Sequence, residues 1–314
     1  MARILVTGAG GFIGRELCPA LAAHGHRVIA GLRRLTDEAI VPAALEIREL
    51  GDITPGREWS AALAGTDIVI HLAQRAHRRA DSAALAAEPQ AAADLAAAAA
   101  RSGARRFLYL SSIKAMAEMT PADRRLTPED PAQPDDPYGR AKLASELALA
   151  AAAAETGIEL VVVRPPLVYG PAAAGNFRAL VRLAGSGLPL PLAGLDNRRS
   201  LLFAGNLVDF LALAATHPAA AGRALLAADG DDLSTPALVR LLAQGQGRRA
   251  RLFALPEPAF AALRRLPGIG PAAARLSLSL RVDDSASRAL LGWRPPFSAR
   301  AALIATASAM AARR

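Results

Sequence analysis

A tyrosine and a lysine stand four residues apart, at Tyr138 and Lys142, near the start of a helix predicted from Tyr138 to about Glu155. This spacing places both side chains on one face of the helix. Tyrosine, with a pKa of about 10, is a poor base at neutral pH, but an adjacent ammonium stabilises the phenolate and lowers that pKa. The pair could therefore supply a general base and its activator, and Lys142 could also bind a nicotinamide ribose. The alternative is that both are unrelated surface residues, because the spacing is common by chance.

Residue scarcity and a strand-end serine favour the catalytic interpretation. Of 37 basic residues only Lys114 and Lys142 are lysine, so we expect each lysine to have a role that arginine cannot fill. An ammonium is a compact charge with three donors, which a guanidinium does not replace everywhere. Ser111 and Ser112 follow a predicted strand, Arg106 to Leu110, and a serine at a strand end can hold a substrate oxygen.

The element that must position this chemistry is the strand, turn and helix at the N-terminus. Apolar residues run from Ile4 to Val6 into a glycine cluster, and a helical pattern follows from Arg15 to His24. In the cluster, Gly8 can adopt backbone angles closed to other residues, Gly11 lets the main chain approach a pyrophosphate, and Gly14 lets the helix pack closely. The free N–H groups of the helix then favour phosphate, so the turn predicts dinucleotide binding.

The end of the second predicted strand, Arg27 to Leu32, bears on which dinucleotide binds. An acidic residue about 20 positions beyond the glycines holds the ribose of NAD, whereas arginine suits the 2′-phosphate of NADP. Leu32 occupies that position, and Arg33 and Arg34 follow. The sequence favours NADP(H), with NAD(H) possible, unless these arginines only face solvent.

Strands alternate with helices at a spacing typical of a doubly wound parallel sheet, an α/β Rossmann fold, in which ligands bind at the carboxyl ends of the strands. A loop from Arg75 to Arg79 after the fourth strand could meet cofactor phosphates or simply be solvated. The predicted third, fourth and sixth strands are Leu45 to Leu50, Asp67 to Leu72 and Ile158 to Arg164.

Composition narrows the class of protein. No apolar run approaches the roughly 20 residues that span a bilayer, and the N-terminus enters a strand directly, so a soluble, cytoplasmic protein is expected. One cysteine, Cys18, excludes an internal disulfide, and no metal-ligand spacing occurs, so we expect no metal. The net charge of +9 is scattered with few interleaved aromatics, which disfavours a nucleic-acid partner.

The ordered motifs resemble the extended short-chain dehydrogenase/reductases, and more narrowly the NAD(P)-dependent epimerase/dehydratase family that modifies nucleotide sugars. The resemblance implies that Ser112, rather than Ser111, faces the substrate and forms a catalytic triad with Tyr138 and Lys142. It also implies cofactor contacts from Phe12 and Ile13 at the pyrophosphate turn, from Asp52 and Ile53 at the adenine, and from Leu72, Ala73 and Pro165. The motifs that carry it are TGAGGFIG at 7–14, Asp52-Ile53, His71-Leu72-Ala73, Ser111-Ser112, Tyr138 to Lys142, and RPPLVYGP at 164–171.

One departure from the family pattern excludes a reaction. Sugar 4,6-dehydratases carry an Asp-Glu pair after the catalytic hydroxyl, whereas Ile113 and Lys114 stand there in this chain. Neither can act as that acid and base. C4 epimerisation and carbonyl reduction remain, and the triad serves both.

The C-terminal half is expected to bind the substrate. We predict a Rossmann domain at 1–165 and a smaller, interleaved substrate domain at 166–314, with about 196–217 returning to the Rossmann body. By resemblance Arg199 would bind a nucleotide diphosphate, and Asn176 would either meet the same group or only cap its helix. The segment from Leu252 to Leu280 is a helical lid or, less in keeping with its pattern, a basic surface resting on a membrane.

These observations lead to a nucleotide-sugar C4 epimerase or 4-keto reductase, with a UDP-N-acetylhexosamine of surface-polysaccharide synthesis as the first substrate expected by analogy. The alternatives are a reductase of a steroid-like or flavonoid-like carbonyl and a non-catalytic NADP-sensing protein. A homodimer is expected by resemblance, in which the helix pair Ala84 to Ser102 and Tyr138 to Glu155 would form a four-helix bundle; the alternative is that these alanine-rich faces only pack within one chain.

Overall fold

A computed structural model describes residues 1–35, 45–73, 82–121 and 123–313, so the loop from Arg75 to Arg79 lies outside the described residues. Parallel strands and helices alternate along the first part of the chain. The strands are β1 (Arg3–Thr7), β2 (Arg27–Leu32), β3 (Glu46–Glu49), β4 (Ile68–His71), β5 (Arg106–Leu110), β6 (Glu159–Arg164), β7 (Leu167–Tyr169), β8 (Pro189–Leu190), β9 (Leu201–Phe203), β10 (Arg223–Leu226) and β11 (Arg251–Leu252). The helices are α1 (Gly14–Ala23), α2 (Ser60–Leu63), α3 (Ser82–Arg101), α4 (Pro137–Thr156), α5 (Gly175–Ala184), α6 (Ala204–Thr216), α7 (Thr235–Gly245), α8 (Glu257–Leu263), α9 (Gly270–Ser277), α10 (Ser285–Leu291) and α11 (Ala299–Ala312).

Seven parallel strands form the central sheet in the order β10-β6-β5-β4-β1-β2-β3, which confirms the α/β doubly wound fold. The strand order reverses between β1 and β4, so a crevice forms there at the carboxyl ends. The register pairs Thr7 with His71 and His71 with Tyr109, and therefore places these three residues side by side at that edge. The edge strand β10 was not predicted from the sequence.

Alternation along β1 shows how the sheet separates its two helical layers. Ile4 and Val6 pack into the cluster shared with α1 and α6, whereas Leu5 packs into the cluster shared with α2 and α3. All three are fully buried, as expected for a parallel strand covered on both faces. The sheet is thus fixed from both sides, and its carboxyl edge is a rigid platform for ligands.

A separate apolar cluster lies in the C-terminal half, built from α5, α7, α11 and the short strand β9. Helix α6 belongs instead to the cluster of the main sheet. The division at residue 165, with a return at 196–217, stays a prediction. Within the described part of the chain, no helix combines the length and apolar character needed to cross a membrane.

Helix α4 has well-defined ends, which fix the residues on its first turn. The Asp136 side chain accepts a hydrogen bond from the N–H of Gly139 at 2.6 Å, and Pro137 occupies the first helical position, where a missing N–H costs nothing. Gly157, at φ 75°, ends the helix in the left-handed conformation. An alanine-rich face lets α4 pack closely against α3.

Candidate active site

The glycine turn after β1 has the geometry that a phosphate-binding turn requires. Gly8 lies at φ 71°, and a Cβ added there would lie 2.9 Å from the backbone N and Cα of Ala73. The N–H of Gly11 donates to the carbonyl of Gly8 at 2.9 Å and closes the turn. A Cβ on Gly14 would overlap the backbone of Gly8 and Ala9. Only glycine therefore fits at Gly8 and Gly14.

A cavity of about 320 Å³, here called the strand-end cavity, opens beside this turn. Its volume and its glycine wall fit part of a dinucleotide. Five of the predicted cofactor residues line it: Gly8, Arg33, Asp52, Ile53 and Ala73. The other wall is α3, which contributes Ala84, Ala87, Glu88, Ala91 and Ala92.

The remaining predicted cofactor residues lie outside the lining of this cavity. Gly11 is exposed on the turn, Phe12 and Ile13 pack into the core beneath it, and Leu72 packs against the same core. Arg34 is exposed, and Pro165 is buried after β6, where its carbonyl accepts the N–H of Ile113 at 2.9 Å. Their contact with a cofactor stays a prediction.

Arg33 and Asp52 form an ion pair at the mouth of the strand-end cavity. The Nε and Nη2 atoms of Arg33 each lie 2.9 Å from a carboxylate oxygen of Asp52. Both side chains are about half exposed, at 53% and 45%. Solvent screening leaves such a pair weak, so a bound ribose or phosphate could rearrange it.

The two strand-end serines have different partners. The Ser111 hydroxyl donates to the buried carboxylate of Glu146, which Arg164 also binds in a bidentate ion pair. Ser112 caps the 3-10 turn Ile113–Ala115 by accepting the N–H of Lys114 at 3.2 Å, and its side chain acts to lower the pKa of Tyr138. Ser112 is therefore the serine that reaches Tyr138.

Lys142 is buried beneath Tyr138, with only 1% of its side chain exposed. Its Nζ lies 3.2 Å from Oε1 of Glu88 and 3.1 Å from the hydroxyl of Tyr109, and 5.6 Å from the centroid of the Tyr138 ring. Burial lowers the pKa of Lys142 to about 8, although Glu88 acts to raise it. Burial and the Glu88 charge raise the pKa of Tyr138, against the hydrogen bond from Ser112.

His71 completes the buried group. Its Nδ1 lies 2.8 Å from the hydroxyl oxygen of Thr7, and its ring stacks on Tyr109 with centroids 5.9 Å apart. Burial and the charge of Lys142 lower the pKa of His71 to about 3, so the ring is neutral. Glu88 and Tyr109 join the site without a motif in the sequence that marks them; the one available signal is that Glu88 is an acidic residue in an alanine-rich helix.

The partners of Lys114 explain why a lysine stands at this position. Its Nζ lies 2.6 Å from Asp136, the N-cap of α4, and 2.7 Å from Glu118. Although burial lowers the pKa of Lys114, its hydrogen bonds to the two carboxylates raise it overall. The ion pair ties the turn that carries Ser112 to the helix that carries Tyr138.

None of the three predicted substrate residues, Ser112, Asn176 and Arg199, is in the lining of the strand-end cavity. Asn176 is exposed, and α5 begins after Ala174 without a side-chain cap, so Asn176 is not the N-cap. Arg199 donates from Nη1 to the carbonyl of Arg275 at 2.8 Å, at the end of α9. Among the described residues no group of His, Cys, Asp and Glu could hold a metal ion.

Comparison with known proteins bears on the family of this chain. The model of the NAD dependent epimerase/dehydratase family matches residues 4–227. A UDP-glucose 4-epimerase of Vibrio cholerae is 35% identical over 300 residues, which are 93% of this chain and 90% of the relative. A 2-alkyl-3-oxoalkanoate reductase of Stenotrophomonas maltophilia (strain K279a) is 29% identical and covers 78% of this chain and 76% of its own.

Comparison with solved structures concerns the fold. A crystal structure of a UDP-glucuronic acid 4-epimerase from Bacillus cereus in complex with NAD has a TM-score of 0.78 and 19% identity, and covers 98% of each chain. At this identity the likeness concerns the fold. With the match over more than half of its length and the 35% identical relative, this chain belongs to the NAD dependent epimerase/dehydratase family, as an NAD(P)-dependent enzyme of the extended short-chain dehydrogenase/reductase type.

Proposed function

We propose that this enzyme inverts the C4 hydroxyl of a nucleotide-diphosphate sugar, with Ser112, Tyr138 and Lys142 as its catalytic residues. The observation that carries the proposal is that Lys142 Nζ lies 5.6 Å from the centroid of the Tyr138 ring while the Ser112 side chain acts to lower the pKa of Tyr138. Glu88, the ion-pair partner of Lys142, lines the strand-end cavity. The 35% identity to a UDP-glucose 4-epimerase supports the substrate class.

Each residue has a separate task in this proposal. Burial raises the pKa of Tyr138, so its neutral hydroxyl must first lose a proton; the phenolate then takes the proton of the sugar hydroxyl and returns it when the keto group is reduced again. Ser112 holds the same sugar oxygen by a hydrogen bond. Lys142 stabilises the phenolate electrostatically and donates to a cofactor ribose. Bound NAD(P) supplies the hydride acceptor and donor.

Product analysis separates epimerase from reductase. We would incubate the protein with UDP-glucose or UDP-N-acetylglucosamine and a catalytic amount of NAD, and in parallel with NADPH and a UDP-4-keto-6-deoxy-hexosamine. Interconversion of the hydroxyl sugars without net change in nicotinamide absorbance supports the epimerase. Stoichiometric loss of NADPH with the keto sugar would instead assign a 4-keto reductase.

Tyr138→Phe tests the catalytic role against a cofactor-sensing role. The variant keeps the ring and loses only the hydroxyl, so cofactor binding should persist while turnover falls by roughly 10²-fold or more. A variant with unchanged turnover would refute the role of Tyr138. If neither protein turns over a sugar or a non-sugar carbonyl, a sensor becomes the better description.

The preference for NADP over NAD is a further part of the proposal. Its support is that Arg33 lines the strand-end cavity and Arg34 is exposed beside it. Calorimetry would test this preference by measuring how tightly NADP and NAD bind to the parent protein and to Arg33→Ala. NADP binding should weaken in the variant and NAD binding should change little. Tighter NAD binding by the parent protein would reject the preference.

For the substrate we propose a UDP-N-acetylhexosamine used in surface-polysaccharide synthesis, with its diphosphate at Arg199 and Asn176. A guanidinium suits phosphate, and hydrogen bonds to one carbonyl leave Arg199 with donors for a ligand. Arg199→Ala should raise KM for the sugar with cofactor binding retained. The exposed neighbour Arg198, which pairs with Asp196, gives the matched control Arg198→Ala.

Reduction of a non-sugar carbonyl is the second candidate function. It is favoured by the relative from Stenotrophomonas maltophilia, a 2-alkyl-3-oxoalkanoate reductase at 29% identity. NADPH oxidation with 3-oxoalkanoates, and none with keto sugars, would establish it.

We also propose a cytoplasmic homodimer that pairs α3 and α4 with the same helices of a second copy. Leu147 on α4 is 64% exposed, which a helix bundle between two copies would bury. In sedimentation velocity the parent protein should be a dimer, and Leu147→Glu should be a monomer. A monomeric parent protein would reject the dimer.

A further inference from the structure

Glu88 is an acidic residue in an unexpected place. It lies on α3 among alanines and lines the strand-end cavity, where a diphosphate would be repelled by a carboxylate. Its side chain is 15% exposed, and its Oε1 atom lies 3.2 Å from Nζ of Lys142. A buried carboxylate costs free energy unless a partner compensates it, so the pairing with Lys142 calls for a role.

The other groups around Lys142 cannot replace Glu88. Tyr109 accepts a hydrogen bond from Nζ but carries no charge, because burial raises the pKa of its hydroxyl. His71 and Tyr138 also face Lys142 and are neutral. Glu146 lies one turn along α4, but its carboxylate binds Arg164. Glu88 is therefore the carboxylate that compensates the ammonium by direct contact.

We propose that Glu88, which lines the strand-end cavity, is a positioning residue that holds the buried Lys142 ammonium through an ion pair. The ion pair connects α3 to α4 and fixes Nζ beneath the ring of Tyr138. Its effect on catalysis rests on the proposed function, whereas the ion pair itself does not.

The ion pair also determines the charge of Lys142. Burial alone favours the neutral amine, and its pKa of about 8 leaves Lys142 mostly charged at neutral pH. Glu88 raises that pKa, so removal of the carboxylate lowers it further. Glu88 also raises the pKa of Tyr138, hence its loss alters the proton affinity of both residues.

The scarcity of lysine makes a direct measurement possible. With lysine labelled by ¹³C at Cε, the NMR spectrum should contain two lysine signals, from Lys114 and Lys142. The chemical shift of each reports its own titration. Lys114 lies beside Asp136 and Glu118, so it serves as an internal reference in the same sample.

The test compares Glu88→Gln with Glu155→Gln, which removes an exposed carboxylate farther along α4. We expect the titration midpoint of Lys142 to fall in Glu88→Gln and to stay unchanged in Glu155→Gln, with Lys114 unchanged in both. A fall of the midpoint from pH 8 to pH 7 would reduce the protonated fraction at pH 8 by about fivefold. An unchanged or higher midpoint in Glu88→Gln would overturn the proposal.

Two further measurements separate positioning from folding and from the assigned reaction. Glu88→Asp keeps the charge, so the titration midpoint of Lys142 should lie between those of Glu88→Gln and the parent protein. If Glu88→Gln does not fold, Glu88→Asp alone tests the proposal, and its Lys142 midpoint must lie below that of the parent. The high-pH limb of kcat should move to lower pH in Glu88→Gln. A shifted NMR midpoint with no turnover of sugars in any variant would support the ion pair and reject only the proposed function.

Discussion

His71 makes the stability of this protein depend on pH in a way that can be calculated. The residue is 2% exposed at the end of β4, with its Nδ1 held by Thr7 and its ring stacked on Tyr109. Its pKa falls from 6.5 to about 3, because burial disfavours the charged ring and Lys142 repels it. A neutral ring is therefore part of the folded structure. Replacement by Asn removes the titration and can keep the hydrogen bond to Thr7.

The sign and size of the change in unfolding free energy with pH follow from proton linkage. Between pH 6.5 and pH 3 the unfolded chain protonates this histidine and the folded protein does not, so stability is lost as the pH falls. Two pH units below 6.5, at pH 4.5, the loss from His71 amounts to about 2.7 kcal/mol. In the folded protein His71 itself would become protonated only near pH 3.

Urea unfolding at pH 7.5 and pH 4.5 measures the effect. The parent protein should lose about 2.7 kcal/mol more than His71→Asn over this interval, because the carboxylates titrate alike in both and cancel in the difference. His24→Asn, at an exposed position after α1, is the matched control and should behave as the parent does. Equal losses in the parent and in His71→Asn would refute the burial of a neutral ring.

Three substitutions test other parts of the site. Gly8→Ala should weaken dinucleotide binding and cost about 1–2 kcal/mol of stability in urea unfolding, because the position has φ 71° and no room for Cβ; unimpaired binding would contradict the turn geometry. Ser111→Ala should lower stability by about 1–3 kcal/mol and leave kcat unchanged, because its hydroxyl serves Glu146; a loss of kcat without loss of stability would reverse that assignment. Lys114→Met removes a half-exposed ion pair with Asp136 and should cost at most about 1 kcal/mol of stability, measured in the same way, whereas a larger loss would indicate a wider role.

Local patterns were enough to predict the main elements of the fold. β2 and β5 have the predicted bounds, since the apolar run of each ends at a polar residue, Arg33 and Ser111 respectively. The strand β10 escaped prediction because it has only four residues, and its pairing with β6 brings together segments about 60 residues apart in sequence. Edge strands of this kind depend on tertiary contact more than on local pattern.

In the candidate site, too, some residues could be predicted from a local pattern and others could not. Tyr138 and Lys142 could be found because a helical spacing places both on one face. Glu88 could not, because α3 is alanine-rich on every side and its sequence does not indicate which face meets α4 and the cavity. The partners that distinguish Ser111 from Ser112 are likewise distant in sequence, at Glu146 and Tyr138.

Donor counting explains why lysine persists at position 142 in a chain that otherwise uses arginine. The protein can bury arginine: Arg106, 1% exposed, binds Glu159 and the carbonyls of Ala214, Ala215 and His217, so its donors are satisfied. At Lys142 the described partners are one carboxylate and one hydroxyl, from Glu88 and Tyr109. A guanidinium with five donors would leave several unpaired in a buried site, at about 1–3 kcal/mol each. A guanidinium would also keep its charge at every accessible pH, whereas the pKa of Lys142 lies near 8, where the Glu88 ion pair can decide its protonation.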